Sequence, residues 1–100
     1  MPDLEPHESV IGFCAEHIDW VRGEDALTRS VTLPTFPDVI MLVNRIAEAA
    51  EQMDHHPDIE IRWRTVTFTL STHSAGGVTS LDLDLARRID AIVERGADEP

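Results

Sequence analysis

Cysteine, basic residues and long hydrophobic runs are all scarce in this 100-residue chain. The single cysteine, Cys14, excludes an intrachain disulfide. The basic side chains number 8, all of them arginine, against 19 acidic ones, and the formal net charge is −11. Binding to nucleic-acid phosphates or to an anionic membrane surface needs clustered Lys and Arg. The composition therefore predicts a protein that binds neither nucleic acid nor membranes.

Features that would send the chain into or across a membrane are also missing. No stretch approaches the roughly 20 apolar residues of a membrane-spanning helix. Met1–Glu8 is acidic and lacks the basic and apolar regions of a secretory signal. A lone thiol is consistent with a reducing compartment, and Cys14, between Phe13 and Ala15, is predicted to be a small buried residue rather than a reactive thiol. We therefore expect a soluble, cytoplasmic protein.

The length is that of one domain, which we place over residues 1–100 with an ordered core over about residues 8–95. The apolar spacing of the first third predicts a weak helix over Glu8–His17. A short strand over Asp19–Arg22, a turn over residues 23–25 and a second strand over Ala26–Leu33 follow, and the two strands form a predicted hairpin.

The strongest helical pattern comes next. Thr35 can cap this helix, with Asp38 three residues on. The helix is predicted to end near His56, because Pro57 disfavours helix at the residue before it. Apolar residues recur on one face at helical spacing: Val39, Leu42, Val43, Ile46, Ala47, Ala50 and Met53.

Two strands and a helix complete the chain. Residues 58–64 and 65–71 each alternate apolar and polar side chains, which predicts strands with one buried face. Trp63 falls on the apolar face of the first and is predicted to be a core residue. A last helix begins at Thr79, has Asp82 in its first turn and ends at Gly96. Hairpins that alternate with helices (order α-β-β-α-β-β-α) predict an α+β two-layer sandwich, a four-stranded antiparallel sheet with helices on one face.

Five histidines are the residues most suited to chemistry. His7 and His17 lie in the weak first helix and are predicted to be solvated surface residues. His55 and His56 lie where the long helix ends, and His73 lies where the last strand ends. Side chains at element ends can converge on a cleft, and imidazole is the usual general acid or base near neutral pH.

Glu51 lies four residues before His55 and would share a helix face with it. It could orient the His55 ring and stabilise the imidazolium, as would the negative end of the helix. Other interpretations of the same residues stay open. His55-His56-Pro57 could be a polar helix stop and Asp82 a capping residue, Trp20 has no assigned role, and the three histidines could bind zinc.

Glu51-Gln-Met-Asp-His55-His56-Pro57-Asp58 resembles the motif of the pterin-4a-carbinolamine dehydratases, a Glu four residues before His-His-Pro. The resemblance continues through a set of further positions and covers about Trp20 to Ile92: Trp63, Thr72-His73, Gly77, Asp82 and Ala86. It implies a four-stranded antiparallel sheet with helices on one face. It also implies dehydration of a 4a-hydroxytetrahydropterin, the product of aromatic amino acid hydroxylases, to a quinonoid dihydropterin.

The resemblance further implies no metal and no cofactor beyond the pterin substrate. Residue by residue, it places His55, His56 and His73 in the site, with Glu51 supporting His55 and with Asp82 and Trp20 nearby. We expect His55 and His73 to transfer protons, and His56, Asp82 and Trp20 to bind substrate.

Two expectations concern partners and alternatives. A small core and exposed sheet edges predict a homodimer or homotetramer. Family members that act as dimerisation cofactors or assist RuBisCO assembly make a non-enzymatic role on the same fold the alternative.

Overall fold

A computed structural model of the protein describes residues 2–98 and contains three helices and four strands. In chain order they are α1 His7–Glu16, β1 Val21–Arg22, β2 Leu27–Thr32, α2 Phe36–Met53, β3 Asp58–Arg62, β4 Thr65–Leu70 and α3 Ser80–Asp98. The strands form one antiparallel sheet in the order β1-β2-β4-β3. The predicted α+β fold class and element order are confirmed. Among the described residues, no helix has the length and apolarity needed to span a bilayer.

The two faces of the central strand β4 differ as the alternation predicts. Val66, Phe68 and Leu70 have no exposed surface and pack in the core with the helices. The intervening threonines point to the other face, where hydroxyls pair across the β2–β4 ladder. Ser30 lies 2.8 Å from Thr67 in one such pair, and Thr32 lies 2.8 Å from Thr65 in another. Strand β4 therefore anchors the sheet under the helical layer, and its carboxyl end holds the loop that carries His73.

Strand β3 does not have the buried face that its alternation predicts. Ile59 and Ile61 share a face with Phe68 and Val66, their partners in β4, but each remains 37% exposed. The reason is that β3 is an edge strand, which the helices do not cover fully. The prediction that Trp63 is a core residue is also wrong. This residue is 73% exposed and occupies the β3–β4 turn with a left-handed backbone, φ 55°.

Several element ends differ from the predicted ones. Strand β1 contains only Val21 and Arg22, whereas the prediction began at Asp19. Helix α3 continues through Gly96 to Asp98, because a glycine costs a helix only about 1 kcal/mol and does not by itself end it. The predicted start of α2 is confirmed, since the Thr35 hydroxyl accepts a hydrogen bond from the Asp38 N–H at 3.2 Å.

Cys14 is partly buried against the core, between full burial and exposure. Desolvation by the surrounding protein raises the pKa of its thiol, and the nearby charge of Arg22 opposes that effect more weakly. A raised pKa leaves less of the nucleophilic thiolate at any given pH.

We therefore expect native protein to react with iodoacetamide more slowly than urea-unfolded protein at pH 8.5, where about half of ordinary thiols are ionised. The native rate should rise only as the pH passes through the raised pKa. The unfolded chain is the matched control, since it carries the same thiol without the burial. Equal native and unfolded rates at pH 8.5 would contradict the burial effect.

Candidate functional site

A fully buried carboxylate lies where α3 begins. Asp82 Oδ2 accepts hydrogen bonds from the backbone N–H of Thr79 and the hydroxyl of Thr72, both at 2.8 Å. Its other oxygen, Oδ1, lies 2.6 Å from Nε2 of His55. Asp82 therefore caps α3 and binds a candidate site histidine at the same time. The interpretation of this residue as a helix cap is confirmed. Its predicted role in binding substrate stays a prediction, and its carboxylate has no exposed surface.

His55 owes its position to the way α2 ends. The helix stops at Met53, before the predicted end near His56, because Asp54 adopts a left-handed backbone with φ 50°. The Asp54 N–H bonds to the Glu51 carbonyl at 3.1 Å, and the His55 N–H bonds to the Ala50 carbonyl at 3.1 Å. These two bonds form a Schellman cap. The chain turns sharply there, and the His55 side chain is buried, with 9% of the residue exposed.

Glu51 binds His56 and not His55, which corrects the predicted pair. Glu51 Oε1 lies 2.6 Å from Nε2 of His56. The prediction assumed that residues four apart share a face, and that holds only while the helix continues. The left-handed Asp54 ends the helix first, so His55 turns inward and His56 takes the place beside Glu51. Both side chains are more than half exposed, and such surface pairs stabilise a fold by only about 0–1 kcal/mol. This contact therefore orients the His56 ring more than it stabilises the protein.

His73 is exposed and lies in the loop between β4 and α3. The loop closes on itself through the Thr72 N–H, which donates to the Gly77 carbonyl at 2.8 Å. Gly76 has φ 80°, a left-handed backbone that favours glycine over other residues. His73 directly follows Thr72 in the chain, and Thr72 is hydrogen-bonded to the buried Asp82.

The register of β3 and β4 brings the three histidines to one end of the sheet. Asp58 pairs with Thr69 in antiparallel register. Residues just before Asp58 therefore run beside residues just after Thr69. His55 and His56 lie in the first group, and His73 lies in the second. The predicted convergence of these element ends agrees with this register.

Trp20, by contrast, is not part of this group. The residue is 2% exposed, so its ring offers almost no surface to a substrate, and its indole N–H donates to Asp90 Oδ1 at 2.8 Å. The same carboxylate binds Arg29, and Asp90 Oδ2 lies 3.0 Å from Nδ1 of His17. Trp20 therefore belongs to a structural network on α3, two helical turns beyond Asp82, which corrects its predicted role in substrate binding.

The two surface histidines of the prediction also differ from one another. His7 is exposed, as predicted, and its Nδ1 lies 3.4 Å from Arg22. His17 is instead partly buried, with its ring stacked on Phe13 at a centroid distance of 4.2 Å. Its role is to tie α1 to α3 through Asp90.

Two cavities of the described residues contain none of the predicted site residues. One, of about 470 Å³, is a groove between α2 and α3. It is lined by Arg45, Glu48, Ala49, Gln52, Arg88, Ala91, Ile92 and Arg95. The other, of about 180 Å³, lies between the N-terminal segment, the β1–β2 turn and Gly76–Gly77. Cavity size usually marks a binding site, but neither the groove nor the smaller cavity has the paired imidazoles of the histidine cluster. The candidate site is therefore the surface at the exposed His56 and His73, next to the buried His55.

Within residues 2–98, no group of three or more His, Cys, Asp and Glu side chains has an arrangement that could hold a metal ion. The zinc interpretation of the three histidines therefore has no support from the donor geometry. The arrangement instead offers two imidazole–carboxylate pairs, one buried and one exposed, and the exposed imidazole of His73 at the same end of the sheet. Such a set can donate and accept protons.

Two residues of the buried network were not among the predicted site residues. Thr72 and Thr79 are 5% and 0% exposed, and their hydroxyl oxygens lie 2.7 Å apart. A signal for Thr79 was present, since a threonine three residues before an aspartate forms a capping box. Thr72 had no local signal, because its partner Asp82 lies ten residues on, across a loop.

Comparison with known proteins points to one family. The family model for pterin 4 alpha carbinolamine dehydratase matches residues 5–92. A protein of Nocardia farcinica (strain IFM 10152), provisionally named as a pterin-4-alpha-carbinolamine dehydratase, is 64% identical over 74 residues, which are 74% of this chain and 78% of the relative. A relative from Mycobacterium sp. (strain KMS) with the same name is 60% identical over 76 residues, or 76% of this chain and 81% of its own.

Two solved structures share the fold. A transcriptional coactivator/pterin dehydratase from Brucella melitensis superposes with a TM-score of 0.85 at 30% identity, over 90% of this chain and 98% of that one. A pterin dehydratase-like protein identified as a RuBisCO assembly factor in the alpha-carboxysome superposes with a TM-score of 0.62 at 21% identity, over 74% and 88% of the two chains. The second likeness concerns the fold alone.

Proposed function

The chain belongs to the pterin 4 alpha carbinolamine dehydratase family, and on this premise we propose that it dehydrates a 4a-hydroxytetrahydropterin to a quinonoid dihydropterin and water. One observation carries the proposal. The buried His55–Asp82 pair, the exposed His56–Glu51 pair and the exposed His73 lie at one end of the sheet. No other group of side chains described above combines several imidazoles with carboxylate partners.

The reaction needs two proton transfers and no change of oxidation state. A base takes the proton from N5 of the pterin, and the electron pair of that N–H bond forms the C4a=N5 double bond. The C4a–O bond breaks with its electron pair on oxygen, and an acid protonates the departing hydroxyl to give water. Histidines can supply both groups near neutral pH, each at about 10²–10⁴-fold in rate.

Within the proposal, His55 and His73 transfer the protons, and His56 orients the pterin. Asp82 positions His55, while Glu51 acts through His56 and not through His55. A metal ion or an additional cofactor is not required, since neither transfer needs a Lewis acid or a redox partner. The physiological setting that we propose is cytoplasmic tetrahydropterin recycling, beside an aromatic amino acid hydroxylase.

The proposal is tested by following the decay of a 4a-hydroxytetrahydropterin with and without micromolar protein, in the presence and absence of EDTA. We expect acceleration over the spontaneous reaction, unchanged by EDTA. No acceleration would exclude the dehydratase activity. Acceleration that EDTA abolishes would exclude the metal-free mechanism alone.

A non-enzymatic role in protein assembly is the second candidate. It is favoured by the similarity to the Brucella melitensis protein, whose description pairs coactivator with dehydratase. Such a role has no need of the two imidazole–carboxylate pairs. A folded protein that fails to accelerate the reaction, and for which His55→Ala changes no property except stability, would support this candidate over the enzyme.

We also propose that the protein is a homo-oligomer, with β3 as a contact surface. An edge strand presents unpaired backbone groups that can pair with a second chain, and Ile59 and Ile61 add partly exposed apolar area beside that edge. Light scattering should give a mass at least twice the 11.2 kDa of one chain. Ile61→Asp should shift the mass towards the monomer, because an oligomer would bury the new charge.

Val21→Asp is the matched control for the oligomer. Val21 is 66% exposed on β1, at the opposite edge of the sheet, and the same new charge there should leave the mass unchanged. An 11 kDa species for the unaltered protein at micromolar concentration would refute the oligomer. Dissociation by Val21→Asp in place of Ile61→Asp would move the contact to the other edge.

A further inference from the structure

The hydrogen bonds around Asp82 have only one consistent direction. Asp82 Oδ2 accepts two hydrogen bonds, from the Thr72 hydroxyl and the Thr79 N–H, and a carboxylate group only accepts hydrogen bonds. Thr72 must then donate its single hydroxyl proton to Asp82 Oδ2, at 2.8 Å. The Thr72 hydroxyl oxygen also lies 2.7 Å from the Thr79 hydroxyl, and in this second hydrogen bond Thr79 must be the donor. Thr79 Oγ1 in turn accepts from the Leu81 N–H at 3.2 Å.

The same reasoning determines the protonation of His55 Nε2. This nitrogen lies 2.6 Å from Asp82 Oδ1. If Nε2 were unprotonated, its lone pair would face a lone pair of Asp82 Oδ1, and the two would repel each other. The ring must therefore carry its proton on Nε2 whether it is neutral or charged. In the neutral ring, Nδ1 is then the acceptor.

Nδ1 of His55 is open to a ligand. Among the described residues, the only buried side-chain nitrogen or oxygen that lacks a hydrogen-bond partner is Nε of Arg29. The side chain of His55 is 10% exposed, and its Nδ1 has no hydrogen-bond partner among residues 2–98. This nitrogen is therefore not completely buried. An imidazole held by a carboxylate at one nitrogen and open at the other is the arrangement of a general base, since the carboxylate stabilises the imidazolium that forms.

We propose that Thr72 is a positioning residue, whose hydroxyl aims Asp82 and thereby holds His55 as the Nε2–H tautomer with Nδ1 facing the substrate. Thr79 supports Thr72 in the same one-way chain of hydrogen bonds. The inference rests on the proposed function only in naming the substrate. In that reaction, His55 Nδ1 takes the N5 proton of the pterin, and His73 protonates the departing hydroxyl. His55 gains one proton and His73 loses one, and exchange with water restores both.

The matched variants are Thr72→Val, which keeps the shape without the hydroxyl, and Thr72→Ser, which keeps the hydroxyl. Two-bond ¹H–¹⁵N NMR spectra of the histidine rings report the tautomer directly. The unaltered protein should show His55 with Nε2 protonated and Nδ1 free. Thr72→Val should show a mixture of tautomers at His55 with His56 unchanged, because His56 depends on Glu51. Thr72→Ser should restore the single tautomer.

Kinetics supply the second readout. Thr72→Val should lower kcat by roughly tenfold, a typical effect of removing a residue that orients a functional group, with little change in KM. Thr72→Ser should recover most of the loss. Thr67→Val is the control, because it removes a hydroxyl from a pair on the far face of the sheet and should change neither tautomer nor kcat. Thermal unfolding of each variant verifies that it is folded, and Thr79→Val replaces Thr72→Val if the latter does not fold.

The outcomes separate this inference from the proposed function. A protonated Nδ1 in the unaltered protein, or a folded Thr72→Val with unchanged tautomer and kcat, would overturn the positioning role. The expected tautomers in a protein without dehydratase activity would preserve the hydrogen-bond assignment and refute only the reaction.

Discussion

Replacing His55 by alanine is expected to lower turnover by about 10²–10⁴-fold, the range for the loss of a general acid or base. His73→Ala should have an effect of similar size, because each residue serves one of the two proton transfers. Neither change should raise KM by a comparable factor, since an interaction made mainly in the transition state affects kcat. His56→Ala should instead raise KM more than it lowers kcat. The measurement is steady-state carbinolamine dehydration over a range of substrate concentrations.

His7→Ala is the matched control for these histidine variants. His7 is exposed on α1, and its side chain contacts Arg22 alone at 3.4 Å among the hydrogen bonds of the described residues. This variant should keep full activity.

If His56→Ala were the most damaging change to kcat, with KM unaltered, the proton-transfer role would pass from His55 to His56. That result would favour the exposed Glu51 pair over the buried Asp82 pair as the reactive one.

The second large effect concerns stability. Asp82→Ala should lower the free energy of unfolding by about 3 kcal/mol or more, because each buried donor left without an acceptor costs about 1–3 kcal/mol. Asp82 has no exposed surface, and its loss leaves His55 Nε2, the Thr72 hydroxyl and the Thr79 N–H without their acceptor. In a domain of this size, each kcal/mol corresponds to about 4–8 °C in Tm. Urea and thermal unfolding followed by circular dichroism measure the change.

Asp84→Ala is the matched control for stability. Asp84 lies two residues on in α3, and its partner Arg87 is 3.0 Å away with both side chains more than half exposed. Such a pair contributes about 0–1 kcal/mol. Asp82→Asn, which keeps the shape and one acceptor oxygen, should fall between the two alanine variants. Equal losses for Asp82→Ala and Asp84→Ala would mean that the buried network does not stabilise the fold.

Most elements of the fold could be predicted because their signals are local. The stripe of α2 and the alternation of β4 follow from periods that any short stretch of sequence reveals. Val39, Leu42, Ile46 and Phe68 are accordingly buried where the periods place them. Ala47 was assigned to the stripe and is exposed, while Ala49 is buried in its place. At the edge of the apolar face of a helix, the packing of neighbouring elements decides which residue is buried, and the helical spacing alone does not.

The failures at β3 have a different origin. Alternation shows that a strand has an apolar face, but it does not show whether another layer covers that face. Coverage depends on strand order, and β3 became an edge strand because β4 pairs with β2. Ile59 and Ile61 therefore stay partly exposed. Trp63 carries the same apolar signal and yet lies in the turn, where its backbone conformation and not its hydrophobicity determines its position.

For the site, the sequence indicated the candidate residues and their positions along the chain. Spacing placed Glu51, His55 and His56 at the end of a helix and His73 at the end of a strand, and the resemblance to the dehydratase family joined Asp82 to them. Which carboxylate binds which imidazole followed from the packing of the helices and not from local spacing. One left-handed residue, Asp54, ends α2 before His55 and so cancels the helical spacing from which the Glu51–His55 pair was predicted. The Asp82–His55 bond joins residues 27 apart, and a contact of that range depends on how α3 packs beside the end of α2, which no local pattern encodes.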